Sequence, residues 1–295
     1  MVRISRTRCF LAAFIVFLSL LGALAVLYER YRYREPVPWK PTKPRHVVRE
    51  PIRAEKKEET VSPKLVEIYR NQVAGRKAFL NNVQPGTTAY DDLYNVLAPE
   101  VFCPGLVRIG RLSDGGKWLC NPQKIPYPCV VYSLGVNNEF SFDSELYAMT
   151  KCQLRAIDKN TMAPHTAQFY SGINATLTAA TVATETDASA STISFADLVK
   201  KHGDSRIDVL KIDIEGGEYD VAEQIAEVPA CQILIELHHE PYRMLSLLKT
   251  LSWSGFLLFH HEINGGTHKA CEFSFIHESC LQDYGIDVFY GQYLT

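Results

Sequence analysis

The chain has 295 residues, 46% hydrophobic and 22% charged, enough for one substantial core with appendages. The net charge of −2 hides an asymmetry: residues 1–60 carry 13 Lys/Arg against 6 Asp/Glu, and the remainder 18 against 27. An acidic body of this kind argues against a nucleic-acid partner, whose phosphates need a basic surface.

The basic N-terminal part has a different explanation. Cys9 to Tyr28 reads CFLAAFIVFLSLLGALAVLY, twenty residues without a charge. At a rise of about 1.5 Å per residue such a helix spans a bilayer core of about 30 Å. Residues 1–28 are therefore expected to form a short cytosolic tail and a signal-anchor transmembrane helix. Ala23-Leu24-Ala25 offers a small-x-small cleavage site, so a cleaved signal peptide and a secreted body is the alternative. The length of the apolar run favours the anchor. Either way the body is expected in the secretory pathway (endoplasmic reticulum or Golgi lumen). Residues 29–60, rich in Pro, Lys, Arg and Glu without apolar periodicity, read as a disordered stem.

Residues 61–100 form a helical preface. Ser62-Pro63 starts a helix whose apolar stripe runs to about Leu80, and a second short helix covers Tyr90 to Leu97. In 101–295, RIGRLSDGGKWLCNP (Arg108 to Pro122) has the Asp-Gly-Gly turn of a β-hairpin, placed so that it could fold over a cleft. From there strand-like runs alternate with helical ones, the signature of βαβ units and a parallel α/β sheet. The expected strands are Cys129–Leu134, Gln153–Ile157, Gln168–Ile173, Ile207–Ile214, Cys231–Leu237, Gly255–His260 and Cys271–His277. The expected helices are Asp143–Lys151, Phe195–His202, Glu218–Glu227 and Pro241–Leu251. Thr176–Thr192, rich in Ala and Thr, reads as a mobile loop carrying at most a short strand.

Seven of the eight cysteines lie beyond the apolar span. Cys103 with Cys120 and Cys271 with Cys280 are the local candidates for bridges, while Cys129, Cys152 and Cys231 open strand-like runs and read as small buried hydrophobes. An odd number leaves at least one thiol free. Asn174-Ala175-Thr176 is a glycosylation sequon.

Chemistry-bearing residues collect at strand ends, where ligands bind in parallel α/β sheets. Ser133-Leu134-Gly135 ends one strand, and Gly135 allows a tight turn and a close ligand approach. Asp158 ends the next, 23 positions on, near the spacing at which an acid accepts ribose hydroxyls in nucleoside-cofactor folds. IDVLKIDIEGGEYD ends in Asp213 and Glu215, which side-chain alternation would place on one side. Glu236 and His238 share a strand face, and a general base is expected among His238, His239 and His261. No standard metal-ligand spacing is present, so no metal is expected.

Taken in order, these motifs resemble the FkbM-type branch of class I S-adenosylmethionine-dependent methyltransferases, in particular the animal membrane-anchored methyltransferase-like proteins. RIGRLSDGG is similar to the family's RxGxxxDGG hairpin, SLGVNNE to its DxGxNxG motif, and LKIDIEGGE to LKIDIEGxE, over about Phe102 to Leu294. The resemblance implies a Rossmann-like, mostly parallel seven-stranded sheet with helices on both faces and the last strand antiparallel. It implies S-adenosyl-L-methionine as cofactor, with Gly135 under its methionine part, Asp158 on its ribose, and Asp213 and Glu215 facing the sulfonium and the substrate; Ser133, Asn137 and Asp213 are expected to complete the cofactor contacts, and the strand-end reading adds His238 to the catalytic residues. It further implies O-methylation of a glycan or small-molecule hydroxyl. Two positions depart from the family pattern: Ser133 replaces an acid and Glu139 replaces a glycine. That departure motivates the alternative, a catalytically inactive lumenal binding or scaffold domain on the same fold.

Overall fold

A computed structural model describes residues 61–295. The expected transmembrane helix and stem lie outside the described residues, and among those described no helix is long and apolar enough to cross a membrane.

Helix α1 (Pro63–Leu80) begins on a proline, whose fixed φ suits the first helical position, and α2 (Tyr90–Tyr94) follows. The hairpin comprises β1 (Leu106–Ile109) and β2 (Lys117–Cys120). Then come β3 (Val130–Leu134), α3 (Ser141–Thr150), β4 (Gln153–Asp158), α4 (Pro164–Gly172), β5 (Thr176–Ala179), β6 (Thr181–Ala183), β7 (Thr192–Ser194) and α5 (Phe195–His202). The chain continues through β8 (Ile207–Ile212), α6 (Ala222–Glu227), β9 (Ala230–His238), α7 (Pro241–Trp253), β10 (Phe256–Ile263) and β11 (Ala270–His277).

The main sheet has seven strands in the order β10-β11-β9-β8-β3-β4-β5. All neighbours are parallel except those of β11, which runs against both β10 and β9. From β3 the chain builds outward through β4 and β5, then returns to β8 on the other side. The strand order therefore reverses between β3 and β8, and the crevice beyond their carboxyl ends is where such sheets bind ligands.

Alternation along the strands divides the core into two layers. Tyr132, Leu134, Leu210, Ile212, Ile233 and Ile235 pack on one face against α2, α5, α6 and α7. Val131, Leu154, Val209, Leu234 and Leu257 pack on the other against α3 and the hairpin residues Ile109 and Leu119. The hairpin is docked by polar contacts as well. The Gln232 amide accepts from Cys120 N (2.8 Å) and donates to Cys120 O (2.8 Å), acting as a substitute strand partner.

Three expectations are corrected. Gln168–Ile173 is not a strand but the end of α4: Pro164 opens that helix, and Thr166 and Tyr170, one turn apart, are its buried face. The strand lies further on, at Thr176–Ala179, inside the segment read as a loop. It pairs with β4 from Arg155↔Thr176 to Asp158↔Ala179 as an edge strand, half exposed, so β-branched threonines suffice where a central strand needs large apolar residues. Lastly, the helix expected over Glu218–Glu227 is split into a 3₁₀ turn, Gly217–Tyr219, and α6.

The disulfides are Cys103–Cys120, Cys129–Cys152 and Cys231–Cys280, leaving Cys271 as a buried free thiol. Only the first pair was expected. Cys129 and Cys152 each precede one of two parallel strands in register, Val130↔Gln153, which brings their Cα atoms to 4.7 Å. Cys271 cannot reach Cys280 because its side chain enters one core layer, whereas Cys280 and Cys231 share the other. Replacing both Cys129 and Cys152 by Ser is expected to cost about 3 kcal/mol through the freed unfolded chain, read as a lowered urea midpoint that reduction of the parent protein reproduces in part.

Candidate active site

Gly135 follows β3 with φ +79° and donates its N–H to Ile157 O at 3.0 Å, while Asp213 N donates to Leu134 O at 3.0 Å. The two strand ends approach so closely that a Cβ on Gly135 would lie 1.7 Å from the Asp213 carbonyl oxygen. Glycine is required there by space and by backbone angle together. The buried Lys211 donates from Nζ to Gly135 O at 3.3 Å, fixing the same turn from below.

Asp158 closes β4 and shapes the loop above it. One carboxylate oxygen accepts from Asn137 N and the other from Asn160 N, both at 2.7 Å. Asn137 and Asn138 take positive φ, a conformation asparagine tolerates, so the loop folds back over the strand end. Gly135, Asn137 and Asp158 all line one cleft of about 440 Å³, together with Asp213 and Glu215. Ser133 does not line it: it is buried in the sheet at 1% exposure. Glu139 does line it. Its carboxylate accepts from Ser141 N (3.0 Å) and Ser141 Oγ (2.9 Å) at the start of α3. A Cβ on Gly115 would lie 2.2 Å from Glu139 Oε2, so the hairpin turn closes directly onto this side chain, and Asp114 and Gly115 form one wall of the cleft.

The opposite wall is charged. Lys117 is buried at 1% exposure, and its ammonium contacts Glu272, Glu236 (3.1 Å) and Asp213 (3.8 Å). Burial lowers its pKa, but the three carboxylates more than offset this and hold it above the ordinary lysine value. Glu236 also takes His238 Nε2 at 3.2 Å and Asn264 Nδ2 at 2.9 Å. Burial would raise the Glu236 carboxyl, yet its hydrogen bonds with His238 and Glu272 and the Lys117 charge hold it well below the usual carboxylate range. Burial pushes Glu272 up instead, against the pull of Lys117. Burial likewise pushes Asp213 up to about 6, the lysine opposing and the Glu236 charge adding. Asp213 Oδ1 has no hydrogen-bond partner among the described residues.

His238 was expected as a base. The contact with Glu236 raises it to about 9, so it is protonated at neutral pH and serves as a fixed cation. His239 is turned to Glu240 and Arg243, and His261, which burial lowers to about 4, stacks on Phe273; neither lines the cleft. Glu215 reaches the cleft for a different reason from the one expected. β8 ends at Ile212, so strand alternation no longer applies, and a positive φ of 58° turns Glu215 outward. The turn is held by the buried Glu218, whose carboxylate accepts from Ile214 N (2.6 Å) and Gly216 N (2.8 Å).

Sequence reading missed Lys117, Glu272 and Asn264. For Lys117 a signal was present: in KWLC it shares a strand face with Leu119, so a lysine faces inward and needs a buried acid. Asp213, Glu236 and His238 also place one ligand atom each within 4.8 Å of one another, and the Lys117 ammonium contacts both carboxylates of this group.

A seven-stranded sheet with one reversed strand, a glycine at the end of β3 and an acid at the end of β4 is the arrangement expected of a class I S-adenosylmethionine-dependent methyltransferase. A family described as a methyltransferase domain matches residues 62–277, and the chain belongs to it. No curated protein matches the chain. Solved structures with a similar arrangement include a Methanococcus jannaschii fibrillarin, a pre-rRNA processing protein (14% identity over 52% of this chain and 69% of that one, TM-score 0.35). The N-terminal domain of EvdMO1 with S-adenosylhomocysteine bound is another (14%, 52% and 76%, TM-score 0.36). A third is TrmK of M. capricolum with the same cofactor product (14%, 53% and 66%, TM-score 0.37). The cofactor is S-adenosylmethionine. The cleft suits it, because Gly135, Asn137 and Asp158 line it together at the carboxyl ends of β3 and β4, where an acid can accept hydrogen bonds from ribose hydroxyls.

Lys117→Met leaves buried carboxylates without their counter-charge and is expected to cost about 3–5 kcal/mol in chemical unfolding, with part of the loss recovered when Glu272→Gln is added. The raised His238 pKa stabilises the fold fully below its unfolded value of 6.5, and that contribution is lost as pH rises through about 9. His238→Gln should therefore lower the urea midpoint at about pH 6 and have little effect at about pH 10.

Proposed function

We propose that the protein transfers a methyl group from S-adenosylmethionine to a hydroxyl of a carbohydrate, with Asp213 as the general base. The observation that carries this reading is Asp213 itself: a carboxylate beside Gly135, raised to about 6, with one oxygen unpartnered among the described residues. Such a group is ionised at neutral pH yet basic enough to accept the proton that an acceptor hydroxyl loses on methylation. When bound, the cofactor supplies an electrophilic methyl group. The residues of the chain supply alignment: Asp158 and Asn137 at the ribose end, Gly135 under the cofactor, and the Asp114–Gly115 turn over the top. Lys117 and the Glu236–His238 pair hold Asp213 in place. The wall beyond Asp213 carries Glu215, His238 and Asn264, a polar set suited to a polyhydroxylated acceptor.

The motifs favour the FkbM-type, membrane-anchored branch of the methyltransferases. Three disulfides favour an oxidising compartment and so a lumenal body, in keeping with the apolar span at Cys9–Tyr28. The competing reading, a binding domain without turnover, draws on Glu139, whose carboxylate enters the cleft where the family pattern has glycine.

Calorimetry with S-adenosylmethionine and a methyl-transfer assay on glycan acceptors separate the two. Asp213→Asn should bind cofactor within a few-fold of the parent and lose about 10²–10⁴ in kcat. The acid limb of the parent's kcat/KM profile should lie near 6, the raised Asp213 value, and be absent from the variant. Cofactor binding without turnover on any hydroxyl acceptor would establish the binding-domain reading, and absence of cofactor binding by folded protein would sink both.

A further inference from the structure

The sequon Asn174-Ala175-Thr176 sits at the pole of the domain opposite the cleft. Asn174 occupies the turn between α4 and β5, is exposed and has φ +56°. Its backbone is fully engaged: N–H donates to Ser171 O at 3.2 Å, and the carbonyl accepts from Gln153 Nε2 at 3.1 Å. The left-handed turn explains why an asparagine is suited to this position. It does not explain Thr176. That residue opens β5, and its Oγ1 is buried with no hydrogen-bond partner among the described residues. A buried hydroxyl left unpaired costs about 1–3 kcal/mol, and valine would fill the same strand position without that cost. The folded state makes no use of the hydroxyl, which points to a use before folding is complete.

We propose that Asn174 carries an N-linked oligosaccharide, a modification that rests on the lumenal reading of the body. In the transfer, Asn174 Nδ2 bonds to the anomeric carbon of an oligosaccharide carried on a polyprenyl diphosphate. The anomeric C–O bond breaks, its electron pair leaves with the diphosphate, and one amide proton passes to a base. The Thr176 hydroxyl is free to take part while β5 is still undocked. β5 runs parallel to β4, so its first residue, Thr176, lies opposite Arg155 while Ala179, at its far end, lies opposite the cleft-lining Asp158. The glycan therefore stands at the end of the sheet remote from the cofactor, beside an open edge strand that it shields from pairing with another chain. Cys129–Cys152 staples the same end of the neighbouring strands.

The test is expression of the full chain in animal cells, with peptide N-glycosidase digestion and peptide mass spectrometry. The expected result is a gel shift of one glycan, with residue 174 read as Asp after digestion. Asn174→Gln and Thr176→Val should each abolish the shift while the protein still folds, and Thr176→Ser should keep it. Digestion of the native protein should leave cofactor affinity unchanged, because the glycan is remote from the cleft; a loss of affinity would overturn that placement. Thiol alkylation with and without reduction reports the compartment independently. An unshifted chain with its disulfides formed overturns the glycosylation and leaves the lumenal reading standing. An unshifted chain whose body cysteines all alkylate without reduction overturns both.

Discussion

An ammonium group taken out of water costs several kcal/mol unless carboxylates neutralise it at close range. Lys117 is such a group, and its partners come from two strands and the turn after a third: Glu236 on β9, Glu272 on β11 and Asp213 just past β8. One buried charge therefore ties the hairpin to the sheet at the level of the cleft. It sets the position of the Asp114–Gly115 wall and tempers the rise of the Asp213 pKa that burial imposes. Glu236 divides its two oxygens between Lys117 and the pair His238 and Asn264, so the same contact reaches the far wall of the cleft.

The domain keeps its covalent cross-links and its chemistry at opposite ends of the strands. At the carboxyl ends, backbones crowd at Gly135, turns adopt positive φ at Asn137 and Glu215, and burial holds Asp213 above its ordinary pKa. Each of these costs stability. At the amino ends, Cys129–Cys152 and Cys231–Cys280 join neighbouring strands or their flanks, and Cys103–Cys120 pins the hairpin's far end. Cross-links that restrict the unfolded chain offset strain elsewhere without touching the cleft.

Much of this was legible in the residues. The buried parallel strands are legible as continuous apolar runs, and the helix expected over Phe195–His202 forms with those bounds. Gly135, Asp158 and Asp213 were legible because their places, at strand ends in order, follow from the chain alone. β5 was not, since an edge strand need not be apolar, and α4 was mistaken for a strand because a short run containing Phe169 and Tyr170 carries no periodicity long enough to distinguish the two. The place of His238 in the cleft is legible in the sequence, but its charge is not, because a histidine's charge depends on which acid stands beside it.

The βαβ order, the glycine and acids at the strand ends and the methyltransferase resemblance can all be read from the residues, because each is written in local pattern and spacing. The pairing of the cysteines, Lys117 as the counter-charge beside the cleft, Ser133 buried in the sheet with Glu139 in the cleft, and the positive charge of His238 emerge from the folded arrangement alone. These depend on which face a side chain takes and which charges stand within a few ångströms of it. Both are properties of strands far apart in the chain brought side by side, and no local pattern encodes them.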